Sequence, residues 1–402
     1  MTNKKYTLIL LMFFASSLLS IIVLNYLVDP FSIFNTNKVE GFNKYKPESD
    51  RRQRLSKSYI VEKKCPENLI MGNSRALAIS ETYKAWASSN TYNYALSSAS
   101  MYEVYRYFQH ATSNCNIKTV LLSLDVLLFE KGKDISGQFK EERLSVTKQG
   151  KETKNRFKAY LQDSIPALLS TTAFKASLKT IRKQKETITK TFSCSLAQKN
   201  HQRILNKGGH FNFINKENRG LFKLLSNINS SRQMQLSLGY FSQFLQHAYV
   251  SNIRVILFFS PSHASFYETI YASGYQEKYK KWKREVVKIN EKLSLSTNSK
   301  KYKLYDFSGY NSITEEEIPS PKHPEKGMKW FWESIHYKEE LSYHILDRVF
   351  NNIRENCPTP KDFGKKINIA NIDKFEESQK NRRLQYLKFH PLITETISKW
   401  KN

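Results

Sequence analysis

The stretch NLIMGNSRALAIS, Asn68–Ser80, decides how the rest of the chain is interpreted. Its apolar start is typical of a buried β-strand, and a helix-like pattern follows Ser74 at once. Gly72 suits a tight strand-to-helix turn because glycine tolerates unusual backbone angles. Ser74 is then either the N-cap of the helix or a nucleophile beside backbone N–H groups that would stabilise an oxyanion. Other parts of the sequence are needed to decide between these two interpretations of Ser74.

Apolar runs of strand length recur and alternate with helix-like segments. After the first, they occupy residues 91–97, 117–129, 253–261 and 301–309. This alternation predicts an α/β fold with a mostly parallel sheet covered on both faces. Polar residues at the carboxyl ends of its strands are then the expected site residues. We assign this domain to residues 65–356 and a basic extension to residues 357–402.

The strand pattern stops between about residues 131 and 232. This segment is basic and mostly helical in pattern, so we interpret it as an insert in the domain. It is either a lid or subdomain over the site, or a peripheral extension.

The composition is that of a folded and strongly basic chain. Hydrophobic residues make up 40% of the 402, and 64 Lys and Arg exceed 36 Asp and Glu, giving a formal net charge of +28. Such a charge suits an anionic partner: nucleic acid, a membrane surface or an acidic polymer. The sequence has no zinc-finger spacing, aromatic RNA-binding motif or basic heptad region. Charge alone therefore does not make nucleic acid the partner.

The N-terminus predicts an inner-membrane anchor. The uncharged stretch Tyr6–Leu27 follows two lysines and is long enough to cross a hydrocarbon core of roughly 30 Å. A cleaved signal peptide usually has a shorter core and a small-x-small site, so we favour an uncleaved signal-anchor over residues 1–28. The lysines favour a cytoplasmic N-terminus, which puts the main domain in the periplasm or another extracytoplasmic space and argues against nucleic acid as a partner. Residues 29–64 are polar, and we predict a linker with little structure.

A second candidate motif, WESIHY at residues 332–337, precedes the predicted helix 337–354. A serine hydroxyl needs a base to become a nucleophile, and an imidazole oriented by a carboxylate supplies one. The three-residue spacing lets Glu333 and His336 meet on one turn. Alternatively, His336 is an ordinary surface histidine and Glu333 an acid near a helix N-terminus.

Together, Gly-x-Ser after the first strand and acid-x-x-His before the late helix resemble the SGNH (GDSL-type) hydrolase superfamily. The resemblance covers residues from about 68 to 350 without the insert. It implies a flavodoxin-like three-layer α/β/α fold with a mostly parallel five-stranded sheet, no cofactor and no metal. It also implies that Ser74 is the nucleophile, His336 the base and Glu333 its orienter. Asn73 stands where the family has aspartate.

The resemblance further implies an oxyanion site, where the sequence departs from the family pattern. Ser97 or Ser98 stands in place of a glycine whose N–H donates. Asp125 stands in place of an asparagine donor, and an ionised carboxylate only accepts hydrogen bonds. Arg75 could supply compensating charge or pair with Asp125.

Four blocks together resemble a membrane-anchored cell-envelope branch of bacterial SGNH-like proteins: GNSRA, LSLDVLLF, SPSHASFYE and WESIHY. Relatives of this kind often accompany the assembly or acylation of surface polysaccharides. The resemblance adds His263 as a substrate contact or alternative base, unless it merely caps a turn or helix.

The function implied is that of an acyl-esterase or O-acyl (acetyl) transferase acting on an envelope polysaccharide through an acyl-serine. An acidic glycan or an acyl-donor protein would be the partner. The alternative is a non-catalytic SGNH-like protein that binds glycan or assists assembly.

The four cysteines form no metal-binding motif, and an even number in an exported chain allows disulfides. In a flavodoxin-like sheet the first and third strands are neighbours, and Cys65 and Cys115 lie just before them. We therefore expect a Cys65–Cys115 disulfide, which requires Cα atoms within about 7 Å. Cys194–Cys357 is possible only by elimination.

Overall fold

The computed structural model describes residues 3–86, 89–133, 135–184, 203–228, 231–355 and 357–400. Within these ranges the chain forms an α/β structure with one mixed six-stranded sheet. The strands are β1 Asn68–Met71, β2 Thr91–Asn93, β3 Thr119–Leu124, β4 Arg254–Phe259, β5 Lys303–Asp306 and β6 Lys365–Lys366. The predicted α/β class and mostly parallel sheet are confirmed.

The sheet has the strand order β2-β1-β3-β4-β5-β6. The first five strands are parallel, and β6 pairs antiparallel with β5. The five runs predicted from the sequence are these parallel strands. The sixth strand comes from the C-terminal extension, and the sequence analysis did not predict it.

The described ranges contain fourteen α-helices. They are α1 Asn3–Val28, α2 Pro47–Arg51, α3 Gln53–Lys64, α4 Met101–Asn114, α5 Val126–Glu130, α6 Arg156–Leu169, α7 Thr171–Gln184, α8 Gly209–Ser226, α9 Ser231–Val250, α10 Ala264–Ala272, α11 Gln276–Ser296, α12 Glu339–Phe350, α13 Ile372–Phe389 and α14 Pro391–Ser398. Helix α12 is the predicted helix before which His336 stands. The C-terminal extension adds α13 and α14.

The chain divides into two compact units. The anchor unit comprises Met1–Cys65, Gln109–Cys115 and Gly137–Ser195, and the sheet unit comprises Pro66–Phe108, Asn116–Ser136 and Leu196–Asn402. The predicted insert is therefore divided between the two units, because Gly137–Ser195 belong to the anchor unit and the rest, including α8, belongs to the sheet unit.

In the anchor unit, α1 is long and apolar enough to cross a membrane, and its most apolar stretch is not buried. The predicted linker, residues 29–64, is structured, and its second half forms helices α2 and α3. A buried ion pair between Asp29 and Lys46, 3.1 Å apart, fixes this segment. Its apolar residues pack with those of α6 and α7 in one core: Phe31, Ile33, Leu55, Tyr59, Ala167, Ala173 and Ala176.

The anchor unit also contains the predicted disulfide. Cys65 and Cys115 are bonded, and their Cα atoms are 5.0 Å apart, so this prediction is confirmed. Cys357 is a free thiol. Cys194 lies outside the described residues, so the pairing proposed by elimination stays a prediction.

In the sheet unit, the inner strands are buried apart from the first residues of β3, β4 and β5, as expected of a parallel sheet covered on both faces. Buried side chains from β1, β3 and β4, such as Ile70, Leu121 and Phe258, belong to one apolar core. Ile214 of α8 is part of the same core. Helix α8 is thus a packed component of this unit.

Candidate active site

The turn after β1 requires glycine. Gly72 has a φ of +142°, and a Cβ atom there would lie 2.9 Å from both the carbonyl oxygen and the Cβ of Ser123 in β3. Any side chain would therefore push the turn away from the neighbouring strand. This close approach holds the residues that follow at the carboxyl edge of the sheet.

A short 3₁₀ helix, Ser74–Ala78, follows this turn where the sequence analysis expected an α-helix. The side-chain amide of Asn93 donates to the carbonyl oxygens of Ala76 and Ile79, at 2.8 and 3.1 Å. Because Asn93 occupies carbonyl groups that a continuing helix would use, the helix ends early. Five residues also give little helix dipole, so an oxyanion at Ser74 would depend on individual N–H donors.

The N-cap of this short helix is Asn73, not Ser74. The side-chain oxygen of Asn73 accepts a hydrogen bond from the backbone N–H of Arg75 at 3.1 Å. The capping role that the alternative interpretation gave to Ser74 is thus filled by its neighbour. The Ser74 hydroxyl instead contacts His336, with Oγ 2.8 Å from Nε2.

His336 lies at the tip of a hairpin-like loop. Phe331 and Tyr337 form an antiparallel bridge, and the N–H of Trp332 donates to the His336 carbonyl at 2.9 Å. The N–H of Lys338 donates to the Trp330 carbonyl at 2.8 Å. Residues 333–336 therefore form the turn of a small, cross-bonded structure.

Glu333 organises this turn through its carboxylate. It accepts hydrogen bonds from the N–H groups of Ile335 and His336, at 2.7 and 3.0 Å, and contacts Nδ1 of the His336 ring. Burial alone would raise the pKa of Glu333, but the imidazole and the two N–H donors outweigh it and lower the pKa below its ordinary value. The carboxylate is therefore ionised at neutral pH.

This arrangement prepares His336 to accept a proton. With Nδ1–H donated to Glu333, the lone pair of Nε2 faces the Ser74 hydroxyl. The side chain of His336 is 42% exposed and that of Glu333 only 9%. The imidazole is thus open to solvent, while its carboxylate partner is shielded.

Asp125 and Arg75 form a buried ion pair in the sheet unit. Asp125 Oδ2 lies 3.9 Å from Nε of Arg75, and both side chains are 2% exposed. Asp125 also caps α5 by accepting the N–H of Leu128 at 3.2 Å. Arg75 donates to Ser262 Oγ at 2.9 Å and lies over the Phe266 ring. Of the two roles considered for Arg75, the structure shows the pairing with Asp125.

Ser98 lies in the loop after β2, exposed and with a left-handed backbone at φ +53°. Its carbonyl accepts a hydrogen bond from Lys131 Nζ at 2.5 Å. No hydrogen bond joins Ser98 to Ser74 in the part of the chain that the structure describes. Donation by its backbone N–H to an oxyanion therefore stays a prediction.

The residues brought together are Ser74, His336 and Glu333, in the order nucleophile, base and carboxylate. No protein-family model matches this chain, and neither does any curated protein or solved structure. The chemistry of the site therefore rests on its own atoms. A hydroxyl, an imidazole and a carboxylate in this order are the groups by which a serine can be activated as a nucleophile.

His263 is not one of these groups. It is fully buried at the N-terminus of α10, where Nδ1 accepts the N–H of Ser265 at 3.2 Å and Nε2 donates to the Glu316 carbonyl at 2.6 Å. Burial lowers its pKa to about 4, so the ring is neutral. With both nitrogens engaged, it caps the helix, and the expectation of a substrate contact or alternative base is wrong for this structure.

His263 nevertheless helps to hold the turn. Its backbone N–H donates to the Ser334 carbonyl at 2.9 Å. The Ser334 hydroxyl donates to the side chain of Asn218 in α8 at 2.5 Å. Asn218 was missed because an asparagine inside a helical pattern carries no sequence signal of a contact 116 residues away.

Proposed function

We propose that this protein is a membrane-anchored, extracytoplasmic serine acyl-ester enzyme with an SGNH-like, flavodoxin-like domain. It hydrolyses an O-acyl ester of a cell-envelope polysaccharide or transfers the acyl group, with acetyl as the expected group. The observation that carries the proposal is the contact of Ser74 Oγ with His336 Nε2 at 2.8 Å, backed by Glu333 on Nδ1.

The proposed reaction has two halves. In the first, Ser74 Oγ attacks the ester carbonyl carbon while His336 Nε2 takes the hydroxyl proton. The bond from acyl carbon to glycan oxygen then breaks, and the imidazolium returns the proton to that oxygen. In the second half, water or an acceptor hydroxyl loses its proton to His336 and attacks the acyl carbon. The bond from the acyl carbon to Ser74 Oγ then breaks, and the imidazolium returns the proton to Oγ, which frees Ser74 and yields an acid or a new ester. Glu333 stabilises the imidazolium in both halves.

Three features support the proposed location of the protein and its acidic polymer substrate. Helix α1 has the length and composition of a membrane span, and the Cys65–Cys115 disulfide is typical of an oxidising compartment. The net charge of +28 favours an acidic glycan. The exposed imidazole also suits a polymer, which must reach the serine without entering a closed cavity.

The test is labelling of the full-length protein, in detergent, with a serine-directed fluorophosphonate. We expect covalent labelling of the wild type, loss of labelling in Ser74→Ala, and unchanged labelling in Ser296→Ala, which removes an exposed serine at the end of α11. Labelling that survives Ser74→Ala would reject the nucleophile assignment. An unlabelled wild type that still binds acidic glycan would favour the non-catalytic alternative.

A further inference from the structure

An open pocket of about 740 Å³ in the sheet unit is lined by six cationic side chains. They are Arg254, Lys303, Arg348, Lys361, Lys365 and Lys366. Arg254 and Lys303 begin β4 and β5, so the pocket lies at the amino edge of the sheet, whereas Ser74 follows the carboxyl end of β1. It is therefore separate from the proposed catalytic site.

The positive charge of this pocket is not compensated. No Asp or Glu is among the described residues that line it, and none of its six cations forms an ion pair within the described ranges. Burial, together with the charges of Lys366 and Arg254, lowers the pKa of Lys303. Like charges held this close repel one another, and a bound anion would relieve that repulsion.

The pocket is fixed by backbone contacts. The Arg348 guanidinium donates to the carbonyl oxygens of Phe363 and Pro360, at 2.9 and 2.5 Å. Gly364, at φ +81°, passes so close to the Phe307 ring that no Cβ would fit. The pairing of β6 with β5 then aligns Lys366 with Tyr305. The C-terminal extension thus supplies three of the six cations, Lys361, Lys365 and Lys366.

We propose that this pocket binds a compact anion with adjacent phosphate groups, of the pyrophosphate class. A pyrophosphate group concentrates several charges within one small volume and can contact many of the six cations at once. The carboxylates of an acidic glycan are at least a sugar ring apart, so they bring less negative charge into the same volume. Inorganic pyrophosphate, a nucleoside diphosphate and a prenyl diphosphate share this chemistry.

The test is calorimetric titration of the full-length protein in detergent with inorganic pyrophosphate. We expect saturable binding that weakens at least tenfold in the double variant Lys361→Gln/Lys366→Gln. A matched control, Lys292→Gln/Lys374→Gln, removes the same charge from exposed lysines outside the pocket and should bind like the wild type. Equal weakening in both variants, or equal binding of sulfate at matched ionic strength, would overturn the proposal.

Competition then identifies the source of the phosphate groups. Displacement of pyrophosphate by a nucleoside diphosphate points to a soluble ligand, and displacement by a prenyl diphosphate in detergent points to a lipid carrier. Stronger displacement by polygalacturonate, which carries only carboxylates, would contradict the phosphate assignment. These measurements do not involve Ser74, so their outcome does not depend on whether the proposed catalysis is correct.

A second inference comes from an independent feature of the anchor unit, an exposed apolar stripe on α6. Phe157, Leu161, Ile165 and Leu169 recur every four residues and are 70%, 40%, 53% and 46% exposed. The polar Asp163 instead points inward, to an ion pair with Arg143 at 2.6 Å. A helix of a water-soluble domain normally buries its apolar stripe.

Helix α6 packs against α1 within the anchor unit. The side-chain amide of Asn25, near the end of α1, donates to the carbonyl of Leu168 at 2.8 Å. The exposed stripe is thus continuous with a helix whose own apolar surface is unburied and long enough to span a membrane. We infer that α6 lies in the lipid interface beside α1, with the stripe in the acyl chains and Lys158 towards the headgroups.

The test is photo-crosslinking of the full-length protein in nanodiscs that contain a diazirine-bearing phosphatidylcholine. We expect lipid adducts within residues 156–169 as well as 3–28. Ile165→Asn should reduce the α6 adducts several-fold and leave those of α1 unchanged. Adducts confined to α1 would overturn the inference.

Discussion

Ser74 Oγ and His336 Nε2 are 2.8 Å apart although 262 residues separate them in the chain. Two local structures make this contact. The Gly72 turn places Ser74 at the edge of the sheet, with Asn73 acting as the cap, and the cross-bonded loop 330–338 presents the imidazole. Because Asn73 caps the short helix, the Ser74 hydroxyl does not serve as the cap and hydrogen-bonds to His336 instead.

Removing the base or its carboxylate should slow acylation of Ser74. We expect His336→Ala and Glu333→Gln each to reduce the rate of fluorophosphonate labelling by about 100- to 10,000-fold, since proton transfer by a positioned base contributes that much. Time-resolved labelling measures this rate. Glu340→Gln, which neutralises an exposed acid nearby, is the control, and an equal loss there would argue against a specific role for Glu333.

The Asp125 carboxylate should stabilise the fold rather than act at an oxyanion. Asp125→Asn leaves Arg75 buried without its counter-ion, which costs about 3 to 5 kcal/mol. We expect a clear fall in the melting temperature of the detergent-solubilised protein. The double variant Arg75→Gln/Asp125→Asn should lose less free energy of unfolding than the sum of the losses in the two single variants. Unchanged stability with faster labelling in Asp125→Asn would instead place Asp125 at the oxyanion.

His263 should make the stability pH-dependent. Its pKa is lowered from the ordinary 6.5 to about 4 by burial. Between these values the unfolded chain binds a proton that the folded chain does not, so stability falls as the pH falls from 6.5 to 4, by at most about 3 kcal/mol. His263→Asn keeps a capping side chain without this titration and should weaken the dependence of the melting temperature on pH over that range. Part of the dependence should persist, because burial also lowers the pKa of His344 to about 4. An unaltered profile would contradict the assignment.

Most of the sheet and the candidate site residues Ser74, Glu333 and His336 could be predicted from the sequence, because strands and short-range spacing leave local signals. The early end of the helix after Ser74 could not, since it depends on Asn93 from another strand. The burial of His263 and the pairing of Arg75 with Asp125 are likewise long-range contacts. The helices in residues 29–64 were not predicted because the segment is polar in composition. The burial of its Asp29–Lys46 ion pair cannot be recognised from composition.

The Cys65–Cys115 disulfide should contribute strongly to the stability of the anchor unit. It closes a loop with a sequence separation of 50 residues, which corresponds to about 4 kcal/mol in the chain-entropy account. We expect the double variant Cys65→Ser/Cys115→Ser to melt at a lower temperature, and Cys357→Ser, which removes a free thiol, to melt like the wild type. A wild-type protein in which alkylation before reduction modifies Cys65 would show that the bond is absent.

The acyl-serine itself is the most direct test of the proposed function. The full-length protein would be mixed with an activated acetyl ester, quenched in acid, and analysed by intact-protein and peptide mass spectrometry. We expect the mass of one acetyl group on the peptide that contains Ser74, none in Ser74→Ala, and much slower formation in His336→Ala. Acetyl groups on other residues only, or equal acetylation of wild type and Ser74→Ala, would contradict an acyl-Ser74 intermediate.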